Sequence, residues 1–293
     1  KAPYWNRDQK VIQVDIDPAT LGSNKPVELA VQADIGQFLE KLYEKLLEKQ
    51  SRINRETNQR NVERFYEERM KYRKKLDEKL ANLQAPMNSA HVPAICSEVF
   101  PEDSPVVFDG GNTAIWANFY YQVEKPGNVF STFKFGMLGA GVAQALGAAV
   151  ANPGKPVCCI IGDGAMGFHP QEIETAIRNN LQVIYLVLCD KQWGMVKMNQ
   201  HFALKPIKTL IKKSLSEEES IKTDLEEIEF DKLAISMGAH GERVSDPIEL
   251  KAALERSIAT GRCAVIHCDV DPVEHMWAPG LKYFKELHAE PKG

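Results

Sequence analysis

The stretch Ile160-Ile161-Gly162-Asp163-Gly164-Ala165 decides the fold. An apolar run ends at a carboxylate that stands between two glycines. Glycine lets a backbone turn sharply and approach a ligand closely, and free N–H groups near a helix start can face phosphate oxygens. The carboxylate can hold a hard cation beside such a phosphate. Alone, the turn is a weak signal, because Asp-Gly turns are common in surface loops.

A second carboxylate makes the signal specific. Asp190 follows the next apolar run, Leu181–Cys189. Neighbouring parallel strands end at the same edge of a sheet, so the oxygens of Asp163 and Asp190 are expected to converge there. The loop Lys191-Gln192-Trp193-Gly194 would complete the site. Octahedral Mg²⁺ suits it, since this ion binds few carboxylates together with phosphate and water.

From Pro86 onward, short apolar runs alternate with helical patterns. Such alternation predicts an α/β fold: a doubly wound parallel sheet with helices on both faces and ligands at the carboxyl ends of its strands. The predicted strands are Val106–Asp109, Pro156–Ile161, Leu181–Cys189 and Ala264–Asp269. The predicted helices are Gly139–Ala151, His169–Asn179, Phe230–Met237 and Glu249–Thr260.

Three domain segments are predicted. Residues 1–48 hold a strand, Lys10–Asp17, and a helix, Asp34–Lys49, and are expected to be the last piece of a domain, because one strand and one helix bury no core. Residues 49–85 interleave opposite charges and predict a charged helical linker, which is favoured over a basic nucleic-acid arm. Residues 86–293 form the sheet domain. The apolar face of the first helix comprises Ile35, Phe38, Leu39, Leu42, Leu46 and Leu47.

Composition narrows the function classes. A net charge of −4 and a pI near 6.0 argue against nucleic acid as a partner. No apolar run is long enough to span a membrane, and the first residues lack the apolar core of a signal peptide, so a cytoplasmic protein is expected. The six cysteines are predicted to be buried, reduced thiols rather than disulfides or a metal site.

Two polar stretches are less informative. The segment from Gln200 to Glu229 is rich in Lys, Glu and Ser, and fits either a mobile flap over the site or a surface insertion. A Pro-containing loop after the last predicted strand is expected to be a solvated turn rather than a metal cluster. Its polar residues are Asp269, Asp271, Glu274 and His275.

The segment Gly162–Val196 resembles the thiamine-diphosphate-binding motif, which runs from Gly-Asp-Gly to Asn-Asn at this spacing. Its surroundings resemble the acetohydroxyacid-synthase-like group of decarboxylases and carboligases over residues 86–275. The strand Lys10–Asp17 is similar to the last strand of that group's central domain, so residues 1–48 would be a remnant of it. The resemblance implies thiamine diphosphate and Mg²⁺ as cofactors; FAD is not readable from the sequence.

The same resemblance implies a set of site residues. The carboxylates of Asp163 and Asp190 and the carbonyl of Gln192 would bind Mg²⁺. Trp193, Val196 and Asn199 would lie at the substrate pocket, although Trp193 could equally anchor its loop. The cofactor would be contacted by Asn112, Thr113, Gly136, Leu138, Gly162, Gly164, Ala165, Gly194 and Met195, with Leu138 as the apolar wedge between its two rings.

The sequence departs from the family pattern at three points. Asp190 replaces the usual Asn, which adds a carboxylate at the metal. Asn199 stands where acetohydroxyacid synthases commonly have Trp. The Glu that activates the pyrimidine lies in an N-terminal domain with no counterpart here, so no catalytic residue is assigned and this fragment alone is expected to be inactive. A homodimer or homotetramer, with the site completed by another domain or subunit, is expected.

The implied reaction is cleavage or ligation of a C–C bond next to the carbonyl of a 2-keto acid, as in acetolactate synthase. Alternatives within the family are sulfoacetaldehyde acetyltransferase and the pair 2-hydroxyacyl-CoA lyase and oxalyl-CoA decarboxylase. An alternative from another class is a non-catalytic cofactor-binding or assembly module.

Overall fold

The computed structural model describes residues 8–49, 55–131, 135–213 and 219–281. It divides into two compact units, Lys1–Lys71 and Tyr72–Gly293. The predicted boundaries at 48 and 85 stay predictions. Among the described residues, no helix is long and apolar enough to cross a membrane.

The first unit contains a parallel pair of short strands, β1 (Ile12–Asp15) and β2 (Leu29–Gln32), followed by helix α1 (Ile35–Glu48). Strand β2 is too short and too exposed to have stood out in the sequence. Helix α1 begins where Asp34 accepts a hydrogen bond from the backbone N–H of Gln37, 3.1 Å away. None of its described residues is buried.

Helix α2 (Arg55–Asp77) occupies most of the predicted linker. It buries none of its residues, as expected for a helix that is polar all round. Pairs such as Arg73 and Asp77, 2.7 Å apart, support it along its surface.

The second unit is built on six parallel strands in the order β4-β3-β5-β6-β8-β7. The chain leaves β3 toward β4 and then returns past β3 to β5. Open α/β sheets bind ligands where the strand order reverses in this way. The strands are β3 (Val106–Asp109), β4 (Val129–Ser131), β5 (Val157–Gly162), β6 (Val183–Cys189), β7 (His240–Val244) and β8 (Ala264–Asp269).

Helices cover both faces of this sheet, which confirms the predicted fold class. Successive strand residues point to opposite faces, so Ile160 and Leu186 join one core while Ile161 and Val187 join the other. The first core also receives α3 (His91–Val99), α4 (Asn112–Tyr120) and α11 (Pro247–Ala259). The second receives α5 (Ala140–Ala151), α6 (Asp163–Met166), α7 (Glu172–Arg178) and α10 (Phe230–Ser236).

Three further helices lie near the carboxyl edge of the sheet or follow its loops: α8 (Gly194–Leu204), α9 (Pro206–Lys212) and α12 (Pro272–Met276). All six cysteines are free and buried, as the sequence predicted.

Candidate cofactor site at the carboxyl edge of the sheet

Strands β3, β5 and β6 lie side by side and end at one edge. The register pairs Asp109 with Ile161 and Gly162 with Leu188, so the loops after these strands start at the same level. Together with α12 these loops enclose a cavity, here called the aspartate cavity. Its polar wall consists of Asn112, Thr113, Asp163, Asp190, Gln192 and His275.

Asp163 connects two of the loops. One carboxylate oxygen accepts from the N–H of Gly164 at 2.6 Å, and the other accepts from the N–H of Lys191 at 2.8 Å. Lys191 reaches that position in a left-handed backbone conformation, with φ of 56°, which is uncommon for a residue other than glycine. The bond therefore fixes the turn that follows β6 against the turn that follows β5.

Asp190 is buried at the end of β6. Its Oδ2 accepts from the side-chain amide of Gln192 at 3.0 Å, and the same amide nitrogen donates to the carbonyl of Pro272 at 2.8 Å. Gln192 thus holds Asp190 through its side chain. The predicted role of its main-chain carbonyl as a metal ligand stays a prediction.

The two carboxyl groups share an environment that disfavours negative charge. Burial, together with the charge of Asp190, raises the pKa of Asp163 to about 7. Burial also raises the pKa of Asp190 to about 7. His275 does not bring a compensating cation, because burial lowers its pKa to about 4. Such a pair must hold protons or be neutralised by a cation.

Glycines keep the backbone close to this cavity. A Cβ at Gly164 would lie 2.6 Å from a ring carbon of Trp193, and a Cβ at Gly194 would lie 2.9 Å from the side-chain nitrogen of Asn112. A Cβ carbon essentially never lies within 3.0 Å of an atom to which it is not bonded. Glycine at both positions therefore lets the loops meet around the cavity.

Asn112 and Thr113 form the first turn of α4 and are buried. Within the described part of the chain, the side-chain oxygen of Asn112 has no hydrogen-bond partner, and its nitrogen has only a long contact of 3.5 Å with the carbonyl of Met276. A buried amide left this poorly paired is costly. Its polar atoms remain available to a ligand in the aspartate cavity.

A second, more apolar cavity adjoins the first and is called here the Leu138 cavity. Leu138 and Met195 line both cavities, whereas Gly136 lines the Leu138 cavity alone. The predicted wedge residue therefore stands between a polar space and an apolar space.

Trp193 separates the aspartate cavity from a third space, called here the Trp193 cavity. Its ring packs edge-on against Phe168, with centroids 6.1 Å apart, and the backbone N–H of Trp193 donates to the carbonyl of Thr223 at 2.7 Å. Trp193 thus both lines a cavity and anchors its loop. Val196 is half exposed at the rim of the aspartate cavity, and Asn199 is exposed and does not line it.

The polar stretch after Gln200 contributes to these walls. Residues 200–213 continue α8 and form α9, and residues 219–229 return to the loop after β6. The N–H of Leu225 donates to the carbonyl of Lys191 at 2.8 Å, and Lys197 pairs with Asp224 at 2.5 Å. Leu225 and Ile228 line the Trp193 cavity. The choice between flap and insertion stays open.

The predicted solvated turn after β8 is wrong for His275. Asp271 accepts from the N–H groups of Val273 and Glu274 and so starts α12, which carries His275 into the aspartate cavity with 3% of its surface exposed. The missed signal was Asp271-Pro272, an N-cap residue followed by proline at the first helical position.

Asp269 lies outside the aspartate cavity. Among the described residues, Glu227, His267 and Asp269 are close enough to surround one ion. Arg243 already donates to Glu227 at 2.6 Å and to Asp269 at 2.8 Å. The cation of this cluster is therefore the guanidinium group of Arg243.

Two segments of the chain match known protein families. Residues 109–268, more than half of the chain, match the family described as "Thiamine pyrophosphate enzyme, C-terminal TPP binding domain". Residues 1–42 match "Thiamine pyrophosphate enzyme, central domain".

Individual relatives fall in the same group. A probable acetolactate synthase of Mycobacterium bovis is 32% identical over 194 residues, which cover 66% of this chain and 33% of that protein. Human 2-hydroxyacyl-CoA lyase 1 is 28% identical over 286 residues, which cover 92% of this chain and 46% of that protein. The chain thus spans less than half the length of these relatives.

A similar fold occurs in the crystal structure of benzoylformate decarboxylase from Polynucleobacter necessarius. The TM-score is 0.54 and the sequence identity 21%, over 64% of this chain and 34% of that one.

Proposed function

The chain belongs to the thiamine pyrophosphate enzymes, and from this premise we propose that its sheet unit binds thiamine diphosphate with Mg²⁺. The observation that carries the proposal is the pair of carboxyl groups, partly buried Asp163 and buried Asp190, at the ends of neighbouring strands.

The donor set fits a hard cation. Asp163 and Asp190 offer carboxylate oxygens, which Mg²⁺ prefers, and few protein ligands are needed when phosphate and water complete the shell. A divalent ion would also lower the raised pKa values of both groups, because it stabilises their charged forms. We propose the carbonyl of Gln192 as the third protein ligand.

The surrounding backbone fits a diphosphate. Helices α4 and α8 begin at the aspartate cavity, with Asn112 and Gly194 as their first residues. Helix N-termini present unpaired N–H groups to anions. The poorly paired amide of Asn112 and the hydroxyl of Thr113 add polar atoms, and Gly162, Gly164, Ala165 and Met195 complete the wall.

The Leu138 cavity fits the apolar rings of the cofactor. We propose that Leu138 and Met195 support them and that the carbonyl of Gly136 accepts a hydrogen bond from the pyrimidine amine. Trp193 and Val196 would then bound the substrate pocket, and Asn199 would act at its margin. The bound cofactor supplies a carbanion and an electron sink for breaking a C–C bond beside a carbonyl.

For the reaction, we propose cleavage or ligation of such a bond in a 2-keto acid, with acetolactate-synthase-like activity leading. The similarity to a probable acetolactate synthase supports this order. The similarity to 2-hydroxyacyl-CoA lyase 1 supports the lyase and oxalyl-CoA decarboxylase alternatives. Sulfoacetaldehyde acetyltransferase activity remains a third alternative within the family.

The site is proposed to be completed elsewhere. Among the described residues, those that line the aspartate and Leu138 cavities include no glutamate that could activate the pyrimidine. We propose that another domain or a second copy supplies it in a cytoplasmic homodimer or homotetramer. The same observation favours the second candidate, a non-catalytic module that binds the cofactor without turning it over.

Calorimetry with thiamine diphosphate and Mg²⁺ tests the cofactor site. Asp163→Ala should weaken binding by more than about a hundredfold. Loss of a direct metal ligand should exceed the loss of about tenfold to a hundredfold that is typical of residues that only support a ligand. Asp190→Asn should largely preserve binding, because an amide oxygen can still face the metal. Asp231→Asn, which alters another buried aspartate outside the aspartate cavity, is the matched control. Wild-type affinity in Asp163→Ala would refute the metal site.

A panel of 2-keto acids, read by CO₂ release and product mass, tests the reaction. Acetolactate from pyruvate supports the leading activity, and another product selects an alternative. Tight cofactor binding without turnover of any 2-keto acid supports the non-catalytic module instead.

A further inference from the structure

Among the described residues, His275 is the polar residue of the aspartate cavity that the loops after β3, β5 and β6 do not supply. It comes from α12, beyond the last strand, and is buried. Its imidazole bridges segments that are distant in the chain. Nδ1 lies 2.6 Å from Oγ of Ser89, and Nε2 lies 3.3 Å from Oγ1 of Thr113.

The neighbours of the imidazole ring indicate which of its two nitrogens carries the proton. Asp190 lies on the Nε2 side, with Oδ2 at 3.9 Å, and its carboxylate, in the ionised form that the proposed cation would stabilise, can only accept hydrogen bonds. A proton on Nε2 therefore suits the cavity side. Nδ1 is then an acceptor, and the hydroxyl of Ser89 donates to it. The short contact to Ser89 thus orients the ring, and the Nε2–H group faces the cavity.

Among the described residues, that Nε2–H group has no hydrogen-bond acceptor at the usual distance. Its contact with Thr113 exceeds the usual length of a hydrogen bond from nitrogen to oxygen, and its distance to Asp190 is too long for one. A buried donor in this position is costly unless a partner arrives. The cavity that it faces is the one we propose for the diphosphate.

The backbone around His275 is held firmly. Its carbonyl accepts from the indole N–H of Trp116 at 2.9 Å, and the neighbouring Glu274 pairs with Lys79 at 2.6 Å. Trp116 is fully buried on α4, the helix that also carries Thr113. The imidazole is therefore positioned before any ligand binds, which lowers the cost of binding.

We propose that His275 is a further diphosphate-binding residue, whose Nε2–H donates to a diphosphate oxygen while Ser89 orients the ring. The inference rests on the proposed cofactor site and adds a ligand from a segment outside the loops after β3, β5 and β6.

The test compares two replacements at one position. In His275→Gln the amide nitrogen can reach the place of Nε2, whereas His275→Leu keeps the bulk and removes the donor. Affinity for thiamine diphosphate at saturating Mg²⁺ is measured by calorimetry, and the ³¹P spectrum of the bound cofactor is recorded. His201→Gln is the matched control, because His201 is equally buried but does not line the aspartate cavity.

His275→Leu should lose about tenfold to a hundredfold in affinity, the range for a hydrogen bond to a charged group. His275→Gln should stay within about threefold of wild type and should shift a phosphate resonance, which a purely structural role would not do. His201→Gln should change neither. Ser89→Ala, a milder change, should lose about threefold to tenfold and provides the result if His275→Leu does not fold.

Equal losses in His275→Gln and His275→Leu would mean that packing alone matters and would overturn the proposal. So would wild-type affinity in both His275→Leu and Ser89→Ala. Failure of the wild-type protein to bind thiamine diphosphate would instead refute the proposed cofactor site, which separates the two hypotheses.

Discussion

Strands β5 and β6 bury every one of their side chains, whereas helix α1 leaves its apolar face open. In α1, Ile35, Leu39, Leu42, Leu46 and Leu47 each expose 41–56% of their surface. The strands were recognisable in the sequence as continuous apolar runs, and α1 was recognisable by apolar residues at helical spacing. The spacing of apolar residues determines which face of a helix or strand is apolar. Whether that face is buried depends on what the rest of the chain packs against it.

The largest expected effect tests this contrast by replacing one apolar residue in each region. Ile160→Ala should lower the free energy of unfolding by about 2–5 kcal/mol, because it opens a cavity in a fully buried site. Leu42→Ala removes a similar volume from α1 but should cost less than about 1 kcal/mol, since this side chain is already 41% exposed. Urea unfolding measures both. Equal losses would show that the face of α1 is covered in solution.

The second effect concerns buried charge in the sheet unit. Asp163 and Asp190 have pKa values of about 7, raised from 3.8 by burial and, for Asp163, by the charge of its neighbour. The folded protein therefore holds more protons than the unfolded chain between about pH 4 and pH 7. Without cofactor, its stability should fall as the pH rises through this window, by roughly 4 kcal/mol for each carboxyl group, since each pKa is raised by about 3 and one pKa unit corresponds to about 1.36 kcal/mol.

Asp190→Asn should make stability depend less steeply on pH. It removes one carboxyl group and, with the charge of that group, one cause of the raised pKa of Asp163. His275 acts in the opposite direction, since its lowered pKa makes stability rise with pH, but it is present in both proteins. Asp15 of the first unit is the control: a backbone N–H lowers its pKa, and Asp15→Asn should leave the falling slope unchanged. Urea unfolding from pH 4 to pH 8 measures the free energy of unfolding of each protein. The same pH dependence in Asp190→Asn as in the wild type would contradict the prediction.

Much of the sheet was predictable from residues alone. Strand β8 has the predicted bounds, and β5 and β6 differ from the prediction by one or two residues, because continuous apolar runs mark strands buried on both faces. Strands β4 and β7 were missed: one has only three residues, and the other contains Gly241, Glu242 and Arg243. Helix α7 begins at Glu172 rather than His169.

In the candidate site too, some residues were predictable from the sequence and others were not. Asp163 and Asp190 were expected to converge, since parallel neighbouring strands end together, and the structure places both in one cavity. Ser89 and His275 come from elements outside those strands, and no local pattern could place them there. Only the tertiary docking of α12 brings them to the cavity.

A third prediction examines how closely the sheet unit packs at its site. Gly164→Ala would place a methyl group 2.6 Å from the ring of Trp193, so the ring must move. The cost should be about 1–3 kcal/mol, as for other overpacked sites, with weaker binding of thiamine diphosphate. Gly147→Ala on α5 meets nothing within 4 Å and should stabilise by up to about 1 kcal/mol. Thermal melting and calorimetry distinguish them, and a harmless Gly164→Ala would show that Trp193 is loosely held.

The smallest effect compares the same capping device in both regions. Asp34 accepts one N–H at the start of α1, and Asp246 accepts those of Ile248 and Glu249 at the start of α11. Replacing either by Ala should cost its helix about 1 kcal/mol. Because α11 packs on the sheet, Asp246→Ala should lower the stability of the whole sheet unit, whereas Asp34→Ala should only speed hydrogen exchange in the first turn of α1. A loss of sheet-unit stability in Asp34→Ala would mean that the open helix and the closed core unfold together.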